Sequence, residues 1–137
     1  MKHFPLRLVT PNRELFNGEV EHVRLPGQSG HFGVLAGHAP LLAILHVGAG
    51  NFRVPDGKER AFALTGGYAE VLPEGVTVIA RTVEFPEEID AARADEARKR
   101  ASGRIKSHER GTDLDRARSA YARAQLRLNL SRLTARS

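Results

Sequence analysis

Apolar residues along the chain come in short runs for the first eighty or so positions and then change period. The early runs are Phe4–Val9, Val20–Leu25, Phe32–Leu35, Leu42–Val47, Asn51–Val54, Ala61–Thr65, Tyr68–Leu72 and Val76–Ala80. Turn signals lie between them: Asn17-Gly18, Pro26-Gly27, Gly48-Ala49-Gly50, Pro55-Asp56-Gly57, Gly66-Gly67 and Pro73-Glu74-Gly75. Short runs at this spacing predict a β-sandwich or barrel, with Asp56-Gly57 as a hairpin turn. Val20 and Val23 differ in parity, which predicts a β-bulge between them. Beyond residue 86 the period becomes helical. Ala97, Ala101 and Ile105 are spaced by four, with Ile89 and Ala94 upstream, predicting a helix from about Glu88 to Ile105. Ser107–Thr112 reads as a turn. A second helix begins near Asp113, with Thr112 or Asp113 as its cap. Its seam is Leu114, Ala117, Tyr121, Ala124 and Leu128, the pattern of an antiparallel helix hairpin. Alanine supplies much of that seam and buries little area, so the hairpin is marginal by itself and able to open.

Composition divides the chain at the same place. All seven Pro, and all Gly except Gly103 and Gly111, lie within residues 1–86. The predicted domains are therefore 1–86, a β domain, and 87–137, a helical hairpin. The net charge of +5 falls wholly on the second part, because acidic and basic residues balance in the first. An acidic partner is expected to meet the helices. The chain has no Cys, so disulfides and thiolate chemistry are excluded and a reducing cytoplasm is the expected setting. No apolar run reaches the length of a membrane span, and a signal-peptide layout is absent.

Catalytic signals are missing. The six His stand outside HExxH or comparable ligand spacing, and neither a nucleophile elbow nor a P-loop occurs. Two stretches remain. Pro26–Pro40 is rich in Gly and holds Gly30, His31, Phe32, Gly37, His38 and Pro40. It reads as a chain reversal with two tight turns, or as a shaped docking loop. The arginines of the helices form the other set. Arg93 and Arg100 are seven apart and Arg123 and Arg127 four apart, so each pair shares a helix face. Spacing leaves two readings open: a solvated basic face, or four guanidinium groups converging on an anion.

Five strings occur in one order: LVTP at Leu8–Pro11 followed by Phe16-Asn17-Gly18; Gly30–Leu35 leading into Gly37-His38-Ala39-Pro40-Leu41; Gly66-Gly67 with Glu70-Val71; VTVIA at Val76–Ala80; and IDAARA at Ile89–Ala94. In this order, over nearly the whole chain, the sequence resembles the epsilon subunits of bacterial F-type ATP synthases. The resemblance implies a flattened ten-stranded β-sandwich followed by a C-terminal antiparallel two-helix hairpin. It implies a non-catalytic subunit of the central stalk, peripheral on the cytoplasmic face of the inner membrane. The expected partners are the gamma subunit, the membrane c-ring facing Gly30, His31, Phe32, Gly37, His38 and Pro40, and, transiently through the helices, the alpha/beta catalytic head. Rotation of the ring would be coupled to ATP synthesis, and the helices would inhibit ATP hydrolysis. Arg116, Arg118, Arg123, Arg127 and Arg132 are the residues expected to face an acidic segment of the beta subunit. The resemblance also implies ATP as an optional regulatory ligand, no cofactor being required. Ile89, Asp90, Arg93 and Ala94 match its I/L-D-x-x-R-A motif, and Arg100, Arg123, Arg127 and Glu84 complete the expected set. Competing readings are a free-standing nucleotide sensor and a basic nucleic-acid-binding module. Nucleic acid is not expected as a partner, because an aromatic content of 6% without Trp offers few stacking platforms.

Overall fold

The structure, a computed structural model, describes residues 2–107 and 113–135, with side chains to residue 132. The chain folds as two compact units, Met1–Phe85 and Pro86–Ser137. Among the described residues no helix is long and apolar enough to cross a membrane.

The first unit contains eight strands: β1 Phe4–Val9, β2 Glu14–Val20, β3 His22–Gly27, β4 Gly30–Leu35, β5 Leu41–Arg53, β6 Glu59–Leu72, β7 Gly75–Ala80 and β8 Val83–Glu84. Their order is β2-β1-β7-β6-β5-β3-β4, with β8 beside β6. The sheet has two free edges, β2 and β4, and folds over itself as a sandwich without closing into a barrel. All pairings are antiparallel except β1 with β7, which is parallel.

Eight strands are found where ten were implied, because glycines expected to end strands lie inside them. β5 runs unbroken through Gly48-Ala49-Gly50, and β6 through Gly66-Gly67. At Gly50 the reason is close approach. A Cβ there would stand 2.5 Å from the Phe62 ring and 2.8 Å from the Arg24 carbonyl oxygen. At Gly66 and Gly67 the reason is conformation, with φ of +96° and +135°. Those two residues turn the strand over. Before them Phe62 and Leu64, of even number, point inward; after them Ala69 and Val71, of odd number, do so. β5 changes with it, from Phe52 to Leu45, while the β5–β6 register is kept throughout.

Two further expectations are corrected. Asn17-Gly18 is not a turn but lies within β2, paired with Arg7 and Leu6. The expected bulge between Val20 and Val23 is a strand boundary. Val20 ends β2 opposite Phe4, and His22 starts β3 opposite Arg53, so the two valines reach one core from different strands. The Asp56-Gly57 turn is present: Gly57 has φ +92° and Asp56 Oδ1 accepts the Lys58 N–H at 2.9 Å.

The core of this unit is built from Phe4, Leu6, Leu8, Val20, Val23, Leu25, Val34, Leu45, Phe52, Phe62, Leu64, Val71 and Val78, with Phe16 partly buried against it. The rings of Phe16 and Phe52 lie 4.4 Å apart, and those of Phe52 and Phe62 6.1 Å apart. Large side chains from several strands thus interlock, which favours a stiff body. At the end of the unit Arg60 stands over the Phe85 ring, 3.9 Å from its centre.

The second unit begins with a 3-10 turn, Pro86–Glu88, followed by α1 Ala91–Ser107 and α2 Leu114–Ala135. The first helix therefore starts three residues later than predicted. Asp90 caps it, its Oδ1 accepting the Arg93 N–H at 3.1 Å. Asp113 caps α2 in the same way through the Arg116 N–H at 3.0 Å. Of the predicted turn Ser107–Thr112, Ser107 instead ends α1, and residues 108–112, with Thr112 as a cap, lie outside the described residues. α1 packs along α2, and the 3-10 turn also meets α2, as in an antiparallel hairpin. Ala94, Ala101, Ala117, Ala124, Leu128 and Leu130 are buried, while Leu114 and Tyr121 of the predicted seam are half-buried.

Candidate functional site

Three regions carry the chemistry of this chain. The first is an outward face of β5, β6 and β7. Once Gly66-Gly67 has turned β6 over, Tyr68 and Glu70 point outward beside Ile44 and Leu42 of β5 and Ile79 and Thr77 of β7. The four apolar residues are left open to solvent: Leu42 is 71%, Ile44 58%, Tyr68 52% and Ile79 41% exposed. They line a recess of about 370 Å³ with Glu70 and Thr77 as polar members. A contiguous apolar patch with a polar rim is the usual mark of a protein interface. Sequence reasoning placed these residues in strands but did not single them out. A signal existed in the run Leu41-Leu42-Ala43-Ile44-Leu45, where a sandwich strand can bury only one of its two faces.

The second region is the Pro26–Pro40 stretch, and it does contain two turns. β3 and β4 are joined across Gln28-Ser29, with Gly27 opposite Gly30, and Ala36-Gly37 lies in a second turn after β4. Gly30 and Gly37 hold φ of +124° and +82°. Gly30, His31, Gly37 and Pro40 are exposed, and Phe32 and His38 are half-buried. Both histidines bond to backbone. His31 Nε2 donates to the Ala49 carbonyl at 3.0 Å, and His38 Nδ1 donates to that of Ala39 at 2.8 Å.

The third region is the hairpin. Arg98 of α1 binds Asp95 at 2.8 Å with Tyr121 of α2 close by, while Lys99 reaches Asp95 at 3.1 Å. Arg98, then Lys99, hold the Asp95 carboxyl below its ordinary 3.8. The nearness of Arg98 to Tyr121 marks a common level on the two helices. Arg93 lies five residues from Arg98 and Arg127 six from Tyr121 in the opposite chain direction, so these arginines share a level. Arg100 and Arg123 lie within about one turn of each other by the same count. Arg93 and Arg100 are exposed, Arg123 and Arg127 half-buried. Ala94 is buried, Ile89 is half-buried, and one oxygen of Asp90 is engaged in capping. Glu84, the remaining member of the expected set, lies in β8 of the first unit, opposite Ala63. Of the basic residues expected to face an acidic partner, Arg116, Arg118 and Arg132 are exposed on α2 with the half-buried Arg123 and Arg127. Among the described residues no group of three His, Asp or Glu gathers as a metal site.

Comparison with known proteins follows the same division. The family model for the ATP synthase delta/epsilon chain, beta-sandwich domain, matches residues 3–86, and that for its long alpha-helix domain matches residues 87–132. An ATP synthase epsilon chain from Bacillus cytotoxicus is 39% identical over 134 residues, covering 97% of this chain and 99% of the relative. One from Syntrophobacter fumaroxidans is 41% identical, covering 94% and 96%. In fold, the chain is similar to a chain of the Euglena gracilis mitochondrial ATP synthase OSCP/F1/c-ring structure, with a TM-score of 0.81 at 20% identity, covering 98% of this chain and 82% of that one. It is also similar to a chain of the central stalk and c-ring of the Tetrahymena thermophila enzyme, with a TM-score of 0.59 at 16% identity, covering 97% and 96%.

Proposed function

The chain belongs to the ATP synthase epsilon-chain family, a non-catalytic subunit of that complex, and from this premise we propose that its two units divide the work of a rotor part. The β unit is the coupler. Its outward face of Leu42, Ile44, Tyr68 and Ile79 docks on the gamma subunit, and the Gly30–Pro40 end faces the membrane c-ring. The protein is then held peripherally on the cytoplasmic face of the inner membrane. Torque passes between ring and shaft only through a body that does not yield, and a sheet with an interlocked aromatic core supplies one. The helical unit is the regulator. Its exposed Arg116, Arg118 and Arg132 provide the positive surface for a transient contact with an acidic segment of the catalytic head, restraining ATP hydrolysis.

The observation that carries this reading is the apolar outward face, which serves no core and has the chemistry a protein partner would cover. Mixing the chain with its gamma subunit at micromolar concentration is expected to give a 1:1 complex, and Ile44→Asp to weaken it by at least tenfold, the scale of a central interface anchor. Failure to form any complex would overturn the coupler role. A full-strength complex with the Ile44→Asp variant would remove this face from it.

The shared level of Arg93 and Arg127 supports a second element, ATP as a ligand of the folded hairpin. Four arginines drawn from both helices can accept a polyphosphate. ATP is expected to slow amide exchange in α1 and α2, and the double variant Arg93→Ala, Arg127→Ala to abolish that effect. Unchanged protection in the double variant would reject the pocket.

A further inference from the structure

β3 and β5 do not pair evenly. His22, Val23 and Arg24 face Arg53, Phe52 and Asn51, but the next pair is Gly27 with Leu45, so the register shifts between them. Pro26 sits in this break. It has no N–H to offer β5, and it presses on the neighbouring strand so closely that a Cβ on Gly48 would stand 2.6 Å from its own Cβ. The carbonyl of Ala49 lies in the part of β5 skipped by this pairing. A carbonyl left in that position needs a donor from elsewhere. The donor comes from β4, one strand further out: His31, directly opposite Pro26 in the β3–β4 ladder, sends its Nε2–H across to Ala49 O at 3.0 Å. On the far side of the break the Gln28 N–H bonds the Ile44 carbonyl at 3.0 Å. These two bonds bracket a recess of about 360 Å³ lined by Gln28, Ser29, Gly30, Phe32 and Ala43, which shares Ile44 with the apolar face.

We infer that His31 is a positioning residue: its imidazole replaces the donor that Pro26 lacks, ties the edge strand β4 to β5, and thereby sets the shape of the recess at the β3–β4 end. The side chain acts inward, on its own sheet, and any partner that docks at this end meets the surface His31 has shaped. Two consequences distinguish this from a role as a charged contact. A carbonyl oxygen only accepts, so neutral His31 must carry its hydrogen on Nε2. The bond also survives protonation, since the imidazolium keeps that hydrogen.

The inference is independent of which partner meets this end, and its test uses the isolated full chain. Long-range nitrogen–proton spectra at neutral pH are expected to show the Nε2–H form of His31; the Nδ1–H form would overturn the assignment. His31→Leu fills space without a donor, and His31→Gln keeps an N–H. Amide exchange at Gln28 is expected to rise roughly five- to tenfold in His31→Leu, the change that one net hydrogen bond produces. It should return close to the parent rate in His31→Gln, while β1 and β7 amides are unmoved in both. Equal rates at Gln28 in parent and His31→Leu would refute the positioning role. The Nδ1–H form, read on the parent protein, would overturn the bond even where a variant folds poorly, and the return of the Gln28 rate in His31→Gln supports it.

Discussion

Gly67 offers a test of how the sandwich turns one strand inside out. Its φ of +135° is strained for any residue with a Cβ, at a cost of about 1–3 kcal/mol. Gly57, in the β5–β6 turn, has φ +92° and open space within 4 Å of a built Cβ. The two positions thus share strain and differ in room. At Gly67 a Cβ would be driven onto the Ile79 carbonyl oxygen and to 2.7 Å from Ala80 Cα. Both belong to the β7 backbone, and Gly67 is paired with Ala80, so relief requires the ladder itself to part. Overpacking of this kind adds about 1–3 kcal/mol. In Gly57→Ala the lost freedom of the unfolded chain returns about 0.4–1 kcal/mol. The same return applies at Gly67, so the expected destabilisation is about 1 kcal/mol for Gly57→Ala and about 2–4 kcal/mol for Gly67→Ala. Urea unfolding followed through assigned β-unit amide resonances resolves the difference without interference from the helices. At about 4–8 °C per kcal/mol for a unit of this size, thermal midpoints separate the variants as well. Equal losses in the two variants would refute the claim that the β7 backbone reserves position 67 for glycine. Because the reversal at Gly66-Gly67 brings Tyr68 out beside Ile44, the proposed docking on gamma predicts that a folded Gly67→Ala variant binds it less well.

Two smaller effects follow from the same geometry. Gly103 lies on the exposed side of α1, and a Cβ there would meet nothing within 4 Å; Gly103→Ala is expected to stabilise the helical unit by up to about 1 kcal/mol, read as slower amide exchange in α1, and no gain would contradict it. Glu59 accepts from Arg53 at 2.7 Å and meets His22 at 3.3 Å, and these bonds, Arg53 foremost, hold its carboxyl below the ordinary 4.5. A carboxyl depressed by folding stabilises fully above its unfolded value and loses that contribution as pH falls through the folded one. Glu59→Gln should therefore be less stable than the parent at pH 7, by no more than the roughly 0–1 kcal/mol of an exposed pair, with the difference fading as pH falls from 4.5 through the lower folded value; a difference that persists in stronger acid would contradict the assignment.

The elements were legible in the sequence because alternation and punctuation act locally. What escaped was the use a fold makes of a breaker. Gly50 and Gly67 look identical to turn glycines in the sequence, yet one is required by the Phe62 ring and the other by the β7 backbone, both distant along the chain. Val20 and Val23 betrayed a change of face, but only the partners Phe4 and Arg53 tell a strand boundary from a bulge. β2 went unread because Asn17-Gly18 interrupts its few apolar residues, and its place is secured by pairing with β1. The arginines of the hairpin were visible as faces but not as levels, because the level depends on where Arg98 meets Tyr121.

That last contact bears on how a seam of alanines holds any register at all. Ala94, Ala101, Ala117 and Ala124 are buried, but each offers a single methyl, and sliding one helix by a turn exchanges one methyl contact for another at little cost. The alanines are therefore nearly silent on alignment, which leaves the buried Leu128 and Leu130 to contribute it, unlike in the β unit, where Phe52 meets Phe16 and Phe62 in one arrangement. Directional groups add to it. Asp95 holds Arg98 from its own helix with Tyr121 of the other helix nearby, and Tyr121, Gln125 and Asn129 form a ladder along α2, the last bond at 3.0 Å. Each bond is weak at a half-exposed surface, so these contacts add alignment to the closed hairpin while adding little to the cost of opening it, as the regulatory arm proposed above requires.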